Sequence, residues 1–277
     1  MTSVYKKASV FALFLTAVPF AAAQANDGWQ QQSQKISEHK SLYQDVMSKD
    51  NWSVTLGAGA AFGPAYEGSD KNEFSPAPVI EASYKDGLVF IGFDGIGITP
   101  LQTEDGSISL ALGYGGGRDV SDDRKNLNGL GDVDSSALGT VAGEYNVGPL
   151  TFSSSVTSGL GGDYGSTADF SIGSDYPVSE NFRISADVHT SWAGDEHMKK
   201  YFGVNAAQAL ASGKAQFKAE SGFKSYGFSV GANYQVNENW SVFANLGLDQ
   251  LMGDAADSPV SVDNSQFSGF TGVGYSF

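Results

Sequence analysis

From Trp52 onward the chain is made of segments about ten residues long in which apolar and polar residues alternate, with turn residues between them. The clearest covers 182–192, where Phe182, Ile184, Ala186, Val188, Thr190 and Trp192 fall on one face and Arg183, Ser185, Asp187, His189 and Ser191 on the other. Successive side chains of a strand point to opposite faces, so one face is made for lipid and one for water. Residues 226–234, 240–248 and 150–156 repeat the pattern, with aromatic and aliphatic residues set against Ser, Thr and Asn. Phe182, Trp192, Tyr234 and Trp240 fall near strand ends, where amphipathic rings occupy the headgroup girdles of a membrane barrel. Gly113, Gly173, Gly231 and Gly247 leave room inside a small barrel.

Short turns of Gly, Pro, Asn and Asp chemistry occur at 85–87, 103–106, 147–149, 178–181 and 237–239. Placing them on the periplasmic side leaves longer external connections at 63–74, 118–135, 159–166, 193–224 and 252–265, plus a tight external turn at Asp94-Gly95. The alternation of sides then closes with about twelve strands. Ten is the alternative count, if the weakly periodic hairpin over 88–102 lies outside the wall.

A soluble β-sandwich also alternates with period two, so the end of the chain decides. There Phe267, Val273, Tyr275 and Phe277 alternate with Ser268, Gly272, Gly274 and Ser276, placing an aromatic terminal residue on the lipid face. Such a terminus resembles the signal read by the barrel-assembly machinery, with Tyr275 and Phe277 as its residues. The expected fold is an all-β, transmembrane antiparallel β-barrel over 52–277.

The amino terminus adds a destination. Lys6 and Lys7 precede an apolar run over 8–20 and then small residues, the layout of a cleaved signal peptide. The cut is expected after Ala25, with Ala23 as the second choice. That apolar run is shorter than the roughly 20 residues a membrane helix needs. Residues 26–51 are polar and glutamine-rich, with Trp29, Ile36, Tyr43 and Val46 at loosely helical spacing. They read as a periplasmic segment with a short amphipathic helix, which serves either as a partner-binding stripe or as an idle tether or plug in the barrel mouth. The location implied is the outer membrane of a Gram-negative bacterium, with its lipid as the first partner.

Charge and cysteine content narrow the functions. The net charge of the whole chain is −15, and loss of Lys6 and Lys7 with the signal peptide takes the mature chain to −17. Such a surface repels nucleic acid. There is no cysteine, so a secreted fold of this size must be held by a large core or a closed sheet.

Candidate chemistry is sparse. Ser185, Asp187 and His189 share the lumenal face of one strand, but residues two apart are separated by roughly 6.5 to 7 Å at their backbones. A nucleophile and its base need heavy atoms within about 2.6 to 3.2 Å, so the trio reads as polar lumen wall. His39 and His197 lie in polar segments without serine and carboxylate partners at any telling spacing. Asp119, Asp122, Asp123, Asp132 and Asp134 crowd one external loop and offer oxygen ligands for calcium, although their spacing does not match an EF-hand. The competing reading is a solvated loop pinned by Arg118. No cofactor, no resident metal and no catalytic residue are expected. Glu144, Asp169, Asp175, Asp187 and Asp249 point inward against Arg183, so an open lumen would prefer cations.

The loops carry more specific patterns. They are Gly63-Pro64-Ala65-Tyr66-Glu67-Gly68-Ser69-Asp70 followed by Pro76 and Pro78, Gly117-Arg118 with Leu127-Asn128-Gly129-Leu130-Gly131-Asp132, Tyr201-Phe202-Gly203-Val204, and Gly253-Asp254-Ala255-Ala256-Asp257-Ser258-Pro259-Val260. Together and in this order they resemble the MipA/OmpV family of outer-membrane proteins, the MltA-interacting protein family, over 52–277. Departures are His197-Met198, where the family tends to have a tyrosine ahead of the methionine, and a longer amino-terminal polar segment. The resemblance implies a non-enzymatic outer-membrane protein, a scaffold joining a murein-cleaving lytic transglycosylase to a murein synthase. Pores and surface adhesins are the alternatives.

Overall fold

The computed structural model describes residues 52–277 except Asp86, Phe93 and Asp94. The expected signal peptide, its cleavage site and the 26–51 segment lie outside the described residues. Twelve strands form one closed antiparallel barrel: β1 (Trp52–Pro64), β2 (Asn72–Tyr84), β3 (Val89–Gly92), β4 (Gly95–Gln102), β5 (Gly106–Gly115), β6 (Ser136–Val147), β7 (Leu150–Gly159), β8 (Ser166–Pro177), β9 (Phe182–Ala193), β10 (Gly222–Gln235), β11 (Trp240–Leu251) and β12 (Ser265–Ser276). Each pairs with its neighbours in sequence, and β1 closes on β12 with Leu56 opposite Tyr275. No described helix is long and apolar enough to cross a membrane, and none is needed, because a closed barrel satisfies its own backbone.

The face assignment holds strand by strand. Phe152, Ile172, Val188, Phe228 and Leu246 are exposed on the outside, while Ser153, Ser171, Asp187, Ser229 and Asn245 are buried inside. The weak hairpin belongs to the wall, since Ile91 of β3 pairs with Ala82 and Ile96 of β4 with Leu112, which removes the ten-strand alternative. Strand boundaries differ from expectation by a few residues, with β1 running on to Pro64 and β2 starting at Asn72. Trp240 packs edge-on against Tyr275 at 5.1 Å, and Phe182 lies 6.5 Å from Tyr234, as the girdle reading requires.

Two rings depart from the expected polar lumen. Phe243 and Phe270 point inward, stacked at 5.7 Å and packed with Val79. They lie flat over glycines of neighbouring strands. A Cβ added at Gly272 would sit 2.5 Å from the Phe243 ring, and one at Gly59 would sit 2.7 Å from the Phe270 ring.

Candidate functional site in the outer cap and lumen

The external connections do not lie loose over the mouth but pack together into a cap with its own apolar core. Tyr66, Leu127, Met198, Phe202 and Val260 are each no more than 1% exposed. They come from the β1–β2, β5–β6, β9–β10 and β11–β12 connections, and Tyr164 of the β7–β8 connection packs edge-on to Tyr201. Four short helices shape the cap: α1 (Arg124–Leu127), α2 (Asp195–Tyr201), α3 (Ala206–Ser212) and α4 (Gly253–Asp257). Each is too short to persist alone; α1, α2 and α4 depend on the packing of their buried residues, and α3, which buries none, is held by its Asn205–Gln208 capping box.

The signature residues are this cap's construction. Pro64 ends β1 buried and delivers Tyr66, whose hydroxyl donates to the Val260 carbonyl. Gly68 adopts a φ of +92° and donates its N–H to Gln266 of β12, while a Cβ there would sit 2.7 Å from the Ser261 hydroxyl. The Ser69 hydroxyl accepts from the Lys71 N–H. Gly129, at a φ of +84°, lets α1's exit pass under α3, where a Cβ would meet Ala211 backbone at 2.6 Å. Gly203 likewise abuts the Lys199 carbonyl, whereas Gly131 faces open space. Asp254 accepts from the Glu220 N–H, the Ser258 hydroxyl donates to the Phe202 carbonyl, and the Pro259 carbonyl accepts from Lys214. Asp257 is exposed.

Three of the five loop aspartates have their carboxylates engaged in separate local bonds, and Asp119, Asp132 and Asp134 are exposed. Asp122 accepts from the Asp119 N–H, Asp132 from the Val120 N–H, and Asp123 caps α1. The Asp134 N–H donates to the Asp163 carboxylate. Among the described residues no group of three or more acidic, histidine or cysteine side chains is placed to hold a metal ion. Arg118 holds the loop from beneath, 3% exposed, donating to the Tyr201 carbonyl, pairing its backbone with Val133 and facing the Tyr66 ring at 6.0 Å.

Burial sets the cap's electrostatics. It pulls the Arg118 guanidinium below its ordinary range and pushes the Tyr66 and Tyr201 phenols above theirs. His197, assigned by sequence to a polar segment, is fully buried instead. Its Nδ1 lies 2.8 Å from the Tyr164 carbonyl and its ring stacks on Tyr201 at 4.3 Å. Burial, reinforced by the nearby Lys224 charge, lowers it to about 3, so it sits neutral with Nδ1–H donating. Lys224 in turn binds Glu67 at 2.9 Å, an ion pair buried at the junction of cap and barrel.

Below the cap the lumen carries the expected inward charges, and one geometric expectation is overturned. Asp187 and His189 do meet, at 2.9 Å, because strand side chains lean along the strand and close the backbone separation. Ser185 takes no part; Ser229 of β10 donates to the other Asp187 oxygen. The remaining ring nitrogen, Nε2, faces Asp249 at 2.7 Å, across space that Gly227 keeps clear. A hydrolytic base would need that nitrogen on a hydroxyl, so this array is a cross-brace of the wall and not a nucleophile and base. Arg183 pairs with Asp175 near the periplasmic end.

Two signals of the cap were present in the sequence and went unread. Asn205 and Gln208 form a capping box that starts α3, and Asp195-Glu196 followed by Lys199-Lys200 is the charge order of a short helix. The burial of His197 had no local signal, since it comes from loops distant in sequence.

Residues 56–277 match the family model described as MltA-interacting protein MipA. YiaT of Escherichia coli K12, assigned provisionally to the outer membrane, is 24% identical over 228 residues, covering 81% of this chain and 91% of that protein. Among solved structures, Salmonella typhi OmpF aligns at a TM-score of 0.34 and 14% identity, over 73% of this chain and 63% of its own. The chain thus spans less than two thirds of OmpF. The translocator domain of the autotransporter NalP from Neisseria meningitidis aligns at 0.44 and 12% identity, over 94% of this chain and 99% of that one.

Proposed function

The chain belongs to the MltA-interacting protein MipA family, and from that membership we infer that this outer-membrane β-barrel is a non-enzymatic scaffold for murein-processing enzymes. The observation that carries the reading is the packed cap, whose buried core residues Tyr66, Leu127, Phe202 and Val260 tie four connections together over the outer end of the barrel. A mouth held shut by apolar packing argues against steady flow along the barrel axis and leaves the periplasmic face as the working surface. The lumen supports the same reading, since its one histidine brace is saturated by carboxylates and offers no reactive pair. The partner expected from the family is a murein-cleaving lytic transglycosylase, joined to a murein synthase. Its contact is assigned to residues 26–51 and the periplasmic turns.

The test is co-purification. Detergent-extracted protein should bring down a lytic transglycosylase, and removing residues 26–49 behind an intact signal peptide should lower that yield sharply while the barrel still assembles. Retention of the yield would move the contact to the turns; no enzyme with the parent protein refutes the scaffold. A second reading, a cation-preferring pore, is favoured by the inward carboxylates Asp169, Asp187 and Glu144, all buried on the lumenal wall.

A further inference from the structure

The barrel wall is not of even height. β3 has 4 residues and β4 has 8, against 13 in β2 and 10 in β5. A tilted strand needs about 9–11 residues to cross the hydrocarbon layer, so this hairpin covers only part of the crossing. Among the described residues, β2 pairs with β3 through Ala82, Ser83 and Tyr84 alone, and its outer part from Asn72 to Glu81 is laddered on the β1 side only. Across the gap, Tyr114 and Gly115 of β5 pair with β6 and not with β4. Among the described residues, the outer half of the wall is therefore notched between β2 and β5.

The residues around the notch fit an edge that faces hydrocarbon. Pro76 and Pro78 sit two apart on the unpaired stretch, so their backbones present the same side of β2, and neither has an N–H. An open edge in lipid is costly through its unsatisfied donors, and proline removes them. The same prolines block addition of another strand, which eliminates a second copy or an extended peptide as the occupant. The flanking side chains are apolar and strongly exposed: Phe74, although its ring meets Phe62 of β1 at 4.6 Å, is 79% exposed and Tyr114 71%, whereas Ile172 on the complete wall is 43%. On the lumenal side of this stretch lie Ala77 and Val79, and Val79 packs with Phe243 and Phe270. Apolar side chains thus follow one another from the lipid-facing proline edge to a packed apolar patch inside.

We propose that the notch is a lateral port, admitting an apolar chain of lipid acyl width from the outer leaflet toward the Val79–Phe243–Phe270 patch. It goes beyond the scaffold reading and is independent of it, since it concerns the wall and not the periplasmic face. With the axial mouth filled by the cap, the side is the route left for a molecule dissolved in the membrane.

The absence of native cysteine makes the test direct. Ala77→Cys in the notch and Ser153→Cys on β7 are both lumenal and buried, so they differ chiefly in nearness to the gap. Each variant is refolded into phosphatidylcholine vesicles, checked for heat-modifiable mobility, and exposed to pyrenylmaleimide dissolved in the bilayer. Ala77→Cys should react about tenfold faster than Ser153→Cys, because it needs no local opening of a complete wall. Should Ala77→Cys fail to fold, Ser75→Cys on the same face takes its place. Equal rates, or reaction of the notch cysteine with a water-soluble maleimide alone, overturn the port.

Discussion

Acid should loosen the cap, and His197 should be the main cause. In the packed cap its imidazole is neutral, held at about 3, whereas a histidine in an opened cap titrates at its ordinary value near 6.5. The opened form therefore binds the extra proton. Stability from this residue is fully present above about pH 6.5 and is lost as pH falls from there toward 3, at about 1.4 kcal/mol per pH unit. The cap would forfeit about 3 kcal/mol between pH 6.5 and 4.3, a large part of the stability of most domains. Neighbouring groups also respond. Asp163, held below its ordinary value chiefly by its bond from Lys200, loses its contribution only at lower pH. A variant separates these terms: His197→Phe keeps the ring stacked between Tyr164 and Tyr201 while removing the titration. It leaves the Tyr164 carbonyl without its donor, a cost of about 1 to 3 kcal/mol that is independent of pH. Amide hydrogen exchange over residues 194–221 reads cap opening from pH 7 to 4. The parent should show exchange rising steeply as pH falls, after correction for intrinsic rates, and His197→Phe should show higher exchange at neutral pH with a much shallower rise. Equal acid slopes in the two proteins would refute the assignment.

Other perturbations probe the wall, the cap junction and the terminus. Arginine at Val188, on the lipid face at mid-wall, should cost about 2–4 kcal/mol in a vesicle refolding titration, with Ser185→Arg in the lumen far milder; equal penalties would defeat the face assignment. Lys224→Met strands the Glu67 carboxylate in the buried junction and should lower stability by about 3–5 kcal/mol, with Glu67→Gln added in the double variant restoring most of the loss in urea unfolding. Phe277 packs on Tyr275 at 4.8 Å and donates its N–H to Val54 of β1, so its deletion should slow barrel closure in a reconstituted assembly assay, and an unchanged rate would contradict its role as assembly signal.

The wall was legible because its physics is local. Alternation at 182–192 assigns Val188 to lipid and Asp187 to the lumen whatever else the chain does, and the structure keeps both. The inward Phe243 and Phe270 were harder, since each occupies a nominally polar position and is accommodated only by Gly272 and Gly59 on neighbouring strands. Those contacts depend on register between paired strands, across the barrel closure of β1 on β12 in the case of Phe270 and Gly59. The cap was the least legible part. Its signature residues could be recognised as a pattern, but their task, packing Tyr66 against Val260 and Leu127 with Val204, joins loops separated by up to about the length of the barrel. Asp119 through Asp134 illustrate the same limit, since acidic crowding looks alike whether the carboxylates converge on an ion or, as here, cap separate turns. The short β3–β4 hairpin was visible as weak periodicity over 88–102, yet only pairing of Ile91 with Ala82 and Ile96 with Leu112 places it in the wall.

On this reading a packed cap shuts the outer mouth and the protein works from its periplasmic face. Planar-bilayer recording of the purified barrel at neutral pH tests it most directly. No steady conductance above the bare bilayer is expected from a protein whose heat-modifiable mobility shows it folded. A stable, ohmic, cation-selective conductance from the same preparation would contradict it.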